Sequence, residues 1–177
     1  MRTIKMRRVR NKTDYLKRLN LLKSKTPRVV FRKTNKYILS QYVKSKAAQD
    51  SVEIEVSSKR LLTKGWPKEF EGSLKSIPAS YLTGYLMGNL IKKEKKEKPI
   101  VDFGMIRVLH KTKAYAFLKG LKDAGIEIEC SEKFFPEEEK IKGKNLKKDF
   151  SKHFQEIKSK LEKMKKTESD TKSEDFA

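Results

Sequence analysis

One cysteine in 177 residues, Cys130, has nothing inside the chain to pair with. An internal disulfide framework and any cysteine-rich zinc site are thereby excluded, and a reducing compartment is expected. Histidine is almost as scarce: His110 and His153 are the only two, and neither has a second metal ligand at useful spacing. The longest stretch without a charge, Ser76 to Ile91, is too short to span a bilayer and contains Pro, Ser, Thr, Gly and Asn. "MRTIKMRRVRNKTDYLKRLN" also lacks the apolar run of a signal peptide, so no membrane insertion is expected and the chain reads as cytosolic. The sharpest shortage is of acid. Residues 1–36 hold 14 Lys or Arg against a single carboxylate, Asp14.

That segment supplies +13 of a formal net charge of +21, and the pI is near 9.9. Residues 37–130 carry 17 bases against 11 acids and residues 131–177 carry 13 against 11, so the surplus is local. Such a balance predicts a polyanionic partner, nucleic acid first and an acidic membrane surface second. Hydrophobic residues make up 36% and charged residues 38%, which implies a modest core with some chain extending beyond it.

Basic residues recur from Arg2 to Arg10 with little to bury, so this arm is expected to be disordered alone. A helix is expected from Thr13, with Asp14 in its first turn and Tyr15, Leu16, Leu19 and Leu22 as its apolar stripe. "TPRVVFRKTNKYILSQYV" then reads as a hairpin. Val29 and Phe31 share one face and Arg28, Val30 and Arg32 the other, while no acid within it can pair its cations. "VEIEV" predicts a third strand with its valine-type residues inward and Glu53 and Glu55 outward. Ser76 caps a long helix whose buried stripe is Tyr81, Leu82, Tyr85, Leu86, Asn89 and Leu90. Gly84 and Gly88 would let it sit close to the sheet. "PIVDFG" predicts a short strand, Thr112 to Ala124 a helix stopped at Gly125, and "IEIEC" a further strand. That order suggests a parallel crossover. The class is therefore α/β: a mixed sheet with covering helices. Leu146, Phe150, Phe154, Ile157, Leu161 and Met164 mark an amphipathic tail helix that could dock back on the domain or lie on something else. "KTESDTKSEDFA" has nothing to pack and is expected to be disordered. Four parts follow: 1–25 as basic arm and helix, 26–145 as the α/β domain, 146–166 as tail helix and 167–177 as disordered tail.

The triplet Asp102-Phe103-Gly104 occurs in protein kinases, but the glycine-rich loop, strand lysine and catalytic loop that a kinase needs are absent. A strand end followed by a glycine turn explains it better. A metal nuclease needs several acids converging on one spot, and the sequence offers one candidate, Asp102, without a constellation. The basic run has a bland reading as a solvated face. Against it stand the single acid, the placement on a hairpin, and Tyr15, Phe31 and Tyr37 set among cations. Phosphate-binding cations, stacking aromatics and small polar side chains are what RNA recognition uses, and "RKTNKY" has all three.

Several stretches resemble one family. "NKTDYLKRLNLL", "PRVVFRKTNKYILSQ" (the family usually has Ser where Thr34 stands), "TKGW", "PASYLTGYLMG" and "LKDAGIEIECSEKFFPEEEKIKG" are similar, in this order, to the archaeal and eukaryotic form of universal large-subunit ribosomal protein L-eighteen. The resemblance covers about residues 11–145. It implies a three-layer domain like the ribonuclease-H motif without that enzyme's active site. It also implies no enzymatic activity, no cofactor, and attachment of 5S ribosomal RNA to the large-subunit RNA at the central protuberance. The implied partners are 5S RNA, large-subunit RNA and neighbouring ribosomal proteins including the 5S-associated protein L-five, in the cytoplasmic ribosome. Carried over by position, RNA contacts fall on Arg7, Arg8, Arg10, Asn11, Lys12, Tyr15 and Arg18. In the hairpin they fall on Arg28, Arg32, Lys33, Thr34, Asn35, Lys36, Tyr37 and Gln41, with Gly65 and Trp66 beyond it. Around "VLHKTKAYAFLKG" the chain departs from the family pattern, and the tail after Lys148 matches nothing in it. A ribonuclease-H-like nuclease and a general basic nucleic-acid binder stand as alternatives.

Overall fold

A computed structural model describes residues 13–47, 49–107, 109–146 and 149–166, with the backbone alone for 164–166. Helix α1, Tyr15–Lys23, begins one residue later than expected. Asp14 is its cap, its carboxylate accepting from the backbone N–H of Leu16 and Lys17. Strands β1 (Arg28–Lys33), β2 (Ile38–Lys46) and β3 (Gln49–Ser57) form the expected antiparallel meander. Helices α2 (Arg60–Thr63) and α3 (Ile77–Lys93) lead to β4, Ile100–Asp102, which pairs parallel with β1. The sheet order is β3-β2-β1-β4. Helices α4 (Lys113–Ala124), α5 (Glu138–Lys142) and α6 (Ser151–Lys166) complete the chain.

Alternation sends Val29 and Phe31 of β1, Ile38 and Tyr42 of β2, and Ile54 and Val56 of β3 into one core beneath the helices. Val52 does not follow. A bulge at Tyr42/Val43 sets Val52 opposite Val43 on the other face, where it is 48% exposed. The expected fifth strand is also missing: Ile126–Cys130 is irregular. Ile126 is buried and Ile128 packs against the core, but β4 is only three residues long and offers little ladder to extend. The parallel pairing thus lies between β1 and β4.

Helix α3 is buried on every side from Pro78 to Gly88, not along one stripe, because it is enclosed by the sheet, α4 and α6. Its glycines serve helix contact and not sheet contact. A side chain at Gly84 would strike the Phe117 carbonyl of α4, and Gly120 of α4 has the same relation to the Tyr81 carbonyl. Gly125, at φ +91°, ends α4 as expected. The tail stripe docks back: Phe150, Phe154, Ile157 and Leu161 are buried in the same core, and Trp66 packs on Phe150 at 4.4 Å between ring centroids. Lys147 and Lys148 just before it, the side chain of Met164, and residues 1–12 and 167–177 lie outside the described residues.

Candidate nucleic-acid interface

Helices α3, α4 and α6 cover one face of the sheet; β1 turns Arg28, Val30 and Arg32 to the other, where α1 lies. No acid precedes them in the hairpin, yet both arginines are paired by carboxylates that arrive from elsewhere. Asp50, at the start of β3, accepts from Arg28 at 2.7 Å, from Arg18 of α1 at 2.9 Å and from the Ser45 hydroxyl. Asp102, at the end of β4, accepts from Arg32 at 3.0 Å, and Lys17 of α1 stands 4.0 Å from its other oxygen. Each acid therefore ties a strand cation to a cation of α1.

Burial alone pushes both carboxyls up, but their partners win. Asp50 is held below the usual carboxylate range by Ser45, Arg18 and Arg28, and Asp102 by the Gly104 N–H, Arg32 and Lys17. The Asp-Phe-Gly triplet is thus a turn. Gly104, at φ +61°, donates its N–H to Asp102 at 2.7 Å, and Phe103 packs edge-on against Phe31. The Arg32 guanidinium also donates to the Asp102 carbonyl and lies over Gly104, in the space a Cβ there would fill.

Of the sequence-predicted contact residues, Arg7, Arg8, Arg10, Asn11 and Lys12 fall outside the described residues. Tyr15, Arg18, Arg32, Lys33, Lys36 and Tyr37 are exposed or half-buried. Arg28 is not: it is 4% exposed, because Asp50 and Ser45 hold its guanidinium inside. Trp66 is buried as well, donating to the Phe70 carbonyl at 2.9 Å. Both side chains lie in the interior in this arrangement. Gly65, at φ +103°, is the turn that leads Trp66 inward. Gln41 donates to Glu55 across the sheet, and the Thr34 hydroxyl donates to the Tyr37 carbonyl and accepts its N–H, closing the hairpin turn. The expected apolar stripe of α1 is largely outside, with Leu16 66% and Leu19 49% exposed.

Some cations were not legible as a group. Lys59 lies 4.7 Å over the Tyr37 ring, Lys75 donates to the Asn35 carbonyl, and Lys17 joins the Asp102 pair. They come from separate segments, and nothing in their spacing signals convergence. Among the described residues no group of three His, Cys, Asp or Glu is placed to hold a metal ion. Glu53 pairs with Lys96, and His110 stacks on Phe134 at 4.0 Å. No helix among the described residues is long and apolar enough to cross a membrane.

The chain is thus an α/β domain whose mixed sheet carries its core on one face and ion-paired cations on the other. Residues 2–99 match the family of ribosomal large subunit proteins 60S L5 and 50S L18. The chain is 44% identical over 144 residues to large ribosomal subunit protein uL18 of Korarchaeum cryptofilum, covering 81% of this chain and 72% of that one. It is 39% identical over 140 residues to uL18 of Methanoculleus marisnigri, covering 79% and 78%. The uL18 of Methanoregula boonei is 34% identical over a stretch of the same length. The chain belongs to this family of large-subunit ribosomal proteins.

Proposed function

We propose that this protein is a structural, non-catalytic constituent of the large ribosomal subunit that binds 5S ribosomal RNA. It would help attach 5S RNA to the large-subunit RNA at the central protuberance, beside neighbouring proteins such as the 5S-associated L-five, in cytoplasmic ribosomes. The observation that carries this reading is the paired bracing of Arg18 and Arg32, whose acids fix them in place while leaving them partly exposed. Fixed cations lose less freedom when they meet a phosphate, so less of the contact energy is spent on ordering. Lys36 continues the basic character at the hairpin tip, while Lys33 projects from the helix side of β1. Phosphate contacts supply affinity, and specificity comes from RNA shape and unpaired bases, because side chains cannot read the deep groove of A-form RNA. The order β3-β2-β1-β4, with β4 parallel to β1, supports the ribonuclease-H-like comparison.

The nuclease alternative is weakened by the engagement of its candidate acid, since Asp102 is occupied by Arg32 and the Gly104 N–H. A competition gel shift with 5S RNA, an unrelated RNA and duplex DNA tests the proposal. Preference for 5S RNA is expected, together with a loss of affinity of about 10³–10⁵-fold between 50 and 200 mM salt if 6–10 phosphates are neutralised. R32Q/K33Q should weaken 5S binding without loss of fold. Equal binding of duplex DNA, or a flat salt response, refutes the reading.

A further inference from the structure

We propose that the cleft between the hairpin end of β1 and the start of α4 is a second RNA site, which takes a phosphate and base of an unpaired ribonucleotide. The proposal rests on the RNA-binding role argued above and adds a second surface, on the helix side of β1 where Lys33 points. The cleft encloses about 340 Å³ and gathers cations from three segments: Lys33 of β1, Arg107 after β4 and Lys113 at the start of α4. Among the described residues none of the three has a carboxylate partner. Only Lys111, at the rim, is paired, with Glu137 at 3.4 Å.

Like charges gathered this way repel. Burial, then Lys33 and Lys75, press the Lys113 ammonium below its ordinary range. An anion would relieve that repulsion. The first turn of α4 carries no acid, and the Thr112 hydroxyl donates to the Leu109 carbonyl and leaves the first-turn N–H groups uncapped. The positive end of the helix therefore adds to the field. The floor is apolar, formed by Phe31, Ile77 and Ile106, which suits a ribose or a base edge. A volume of this size admits a nucleotide and excludes a duplex, and unpaired nucleotides are what proteins read in RNA. Phe31 points to the helix side of the sheet and Arg32 to the other, so this cleft and the surface braced by Asp50 and Asp102 are on opposite faces.

The test titrates the intact chain with hexauridylate and follows the amide NMR signals of Ala114, Tyr115 and Ala116. Those signals should shift, and R107Q/K113Q should weaken hexauridylate binding at least tenfold. The log–log salt slope should flatten by about 0.7 for each phosphate no longer neutralised. The charge-matched control K68Q/K152Q should change affinity less than twofold. The nucleotide can come from 5S RNA or from large-subunit RNA. Under the proposal R107Q/K113Q loses affinity for one of these, which identifies the source. If R107Q/K113Q binds hexauridylate as tightly as the parent, the cleft is not a nucleotide site. If inorganic phosphate alone reproduces the shifts at equal affinity, the nucleotide assignment also fails. A parent chain that binds 5S RNA but whose cleft signals stay still in hexauridylate refutes the cleft alone; a parent that binds no RNA refutes the function itself.

Discussion

Asp50→Ala removes the one acid that holds the buried Arg28. The Arg28 side chain is 5% exposed and Asp50 31% exposed, with 2.7 Å between donor and acceptor. Breaking a fully buried pair costs about 3–5 kcal/mol because the remaining charge is left uncompensated. Asp50 is partly solvated and Ser45 stays as a weaker partner for Arg28, so about 2–3 kcal/mol is a fair discount on that range. For a chain of this size about 2–4 °C is lost per kcal/mol, so the melting temperature should fall by roughly 4–12 °C. Circular dichroism melts at pH 7 measure it. Two further variants separate the contributions. Arg18→Gln breaks only the exposed pair, 37% and 31% exposed, and should cost less than about 1 kcal/mol. The double variant R28M/D50A replaces the buried charge by apolar volume, so it should recover much of the loss. A D50A protein that melts within about 1 °C of the parent, or a double variant no better than D50A, would show that Arg28 is not anchored as described.

Leu161 is fully buried on α6. Leu161→Ala should therefore cost about 3–5 kcal/mol and lower the melting temperature by roughly 6–20 °C; a shift under 1 °C would mean the tail helix is not part of the core. Asp50 and Asp102 are both held below the ordinary aspartate value of 3.8. Such groups contribute stability that is complete above the unfolded pKa and lost as pH falls through the folded one. Urea midpoints should accordingly be flat from pH 7 to about 5 and fall below about pH 4, and D102N should show a shallower acid slope than the parent; parallel slopes would contradict the lowered carboxyl.

The amino-acid sequence by itself determined the meander, the two central helices, their caps at Ser76 and Gly125, and the concentration of cations at one end. These are local properties: period-two and helical spacing, a capping hydroxyl, a glycine tolerant of positive φ. It also carried the family likeness, since "PRVVFRKTNKYILSQ" and its companions are contiguous stretches. What lay beyond it depends on residues far apart in the chain. Asp50 and Asp102 reach Arg28 and Arg32 from 22 and 70 positions away, so the apparent absence of counter-charges in the hairpin was an absence in sequence only. "IEIEC" has the alternation of a strand, but pairing needs a neighbour with free ladder, and a three-residue β4 supplies little. Trp66 sits in a basic, polar stretch and is buried because α6 returns to cover it with Phe150. Tertiary structure alone decided which cations are interior supports and which stay exposed, because charge is set residue by residue whereas burial and pairing belong to the assembled fold.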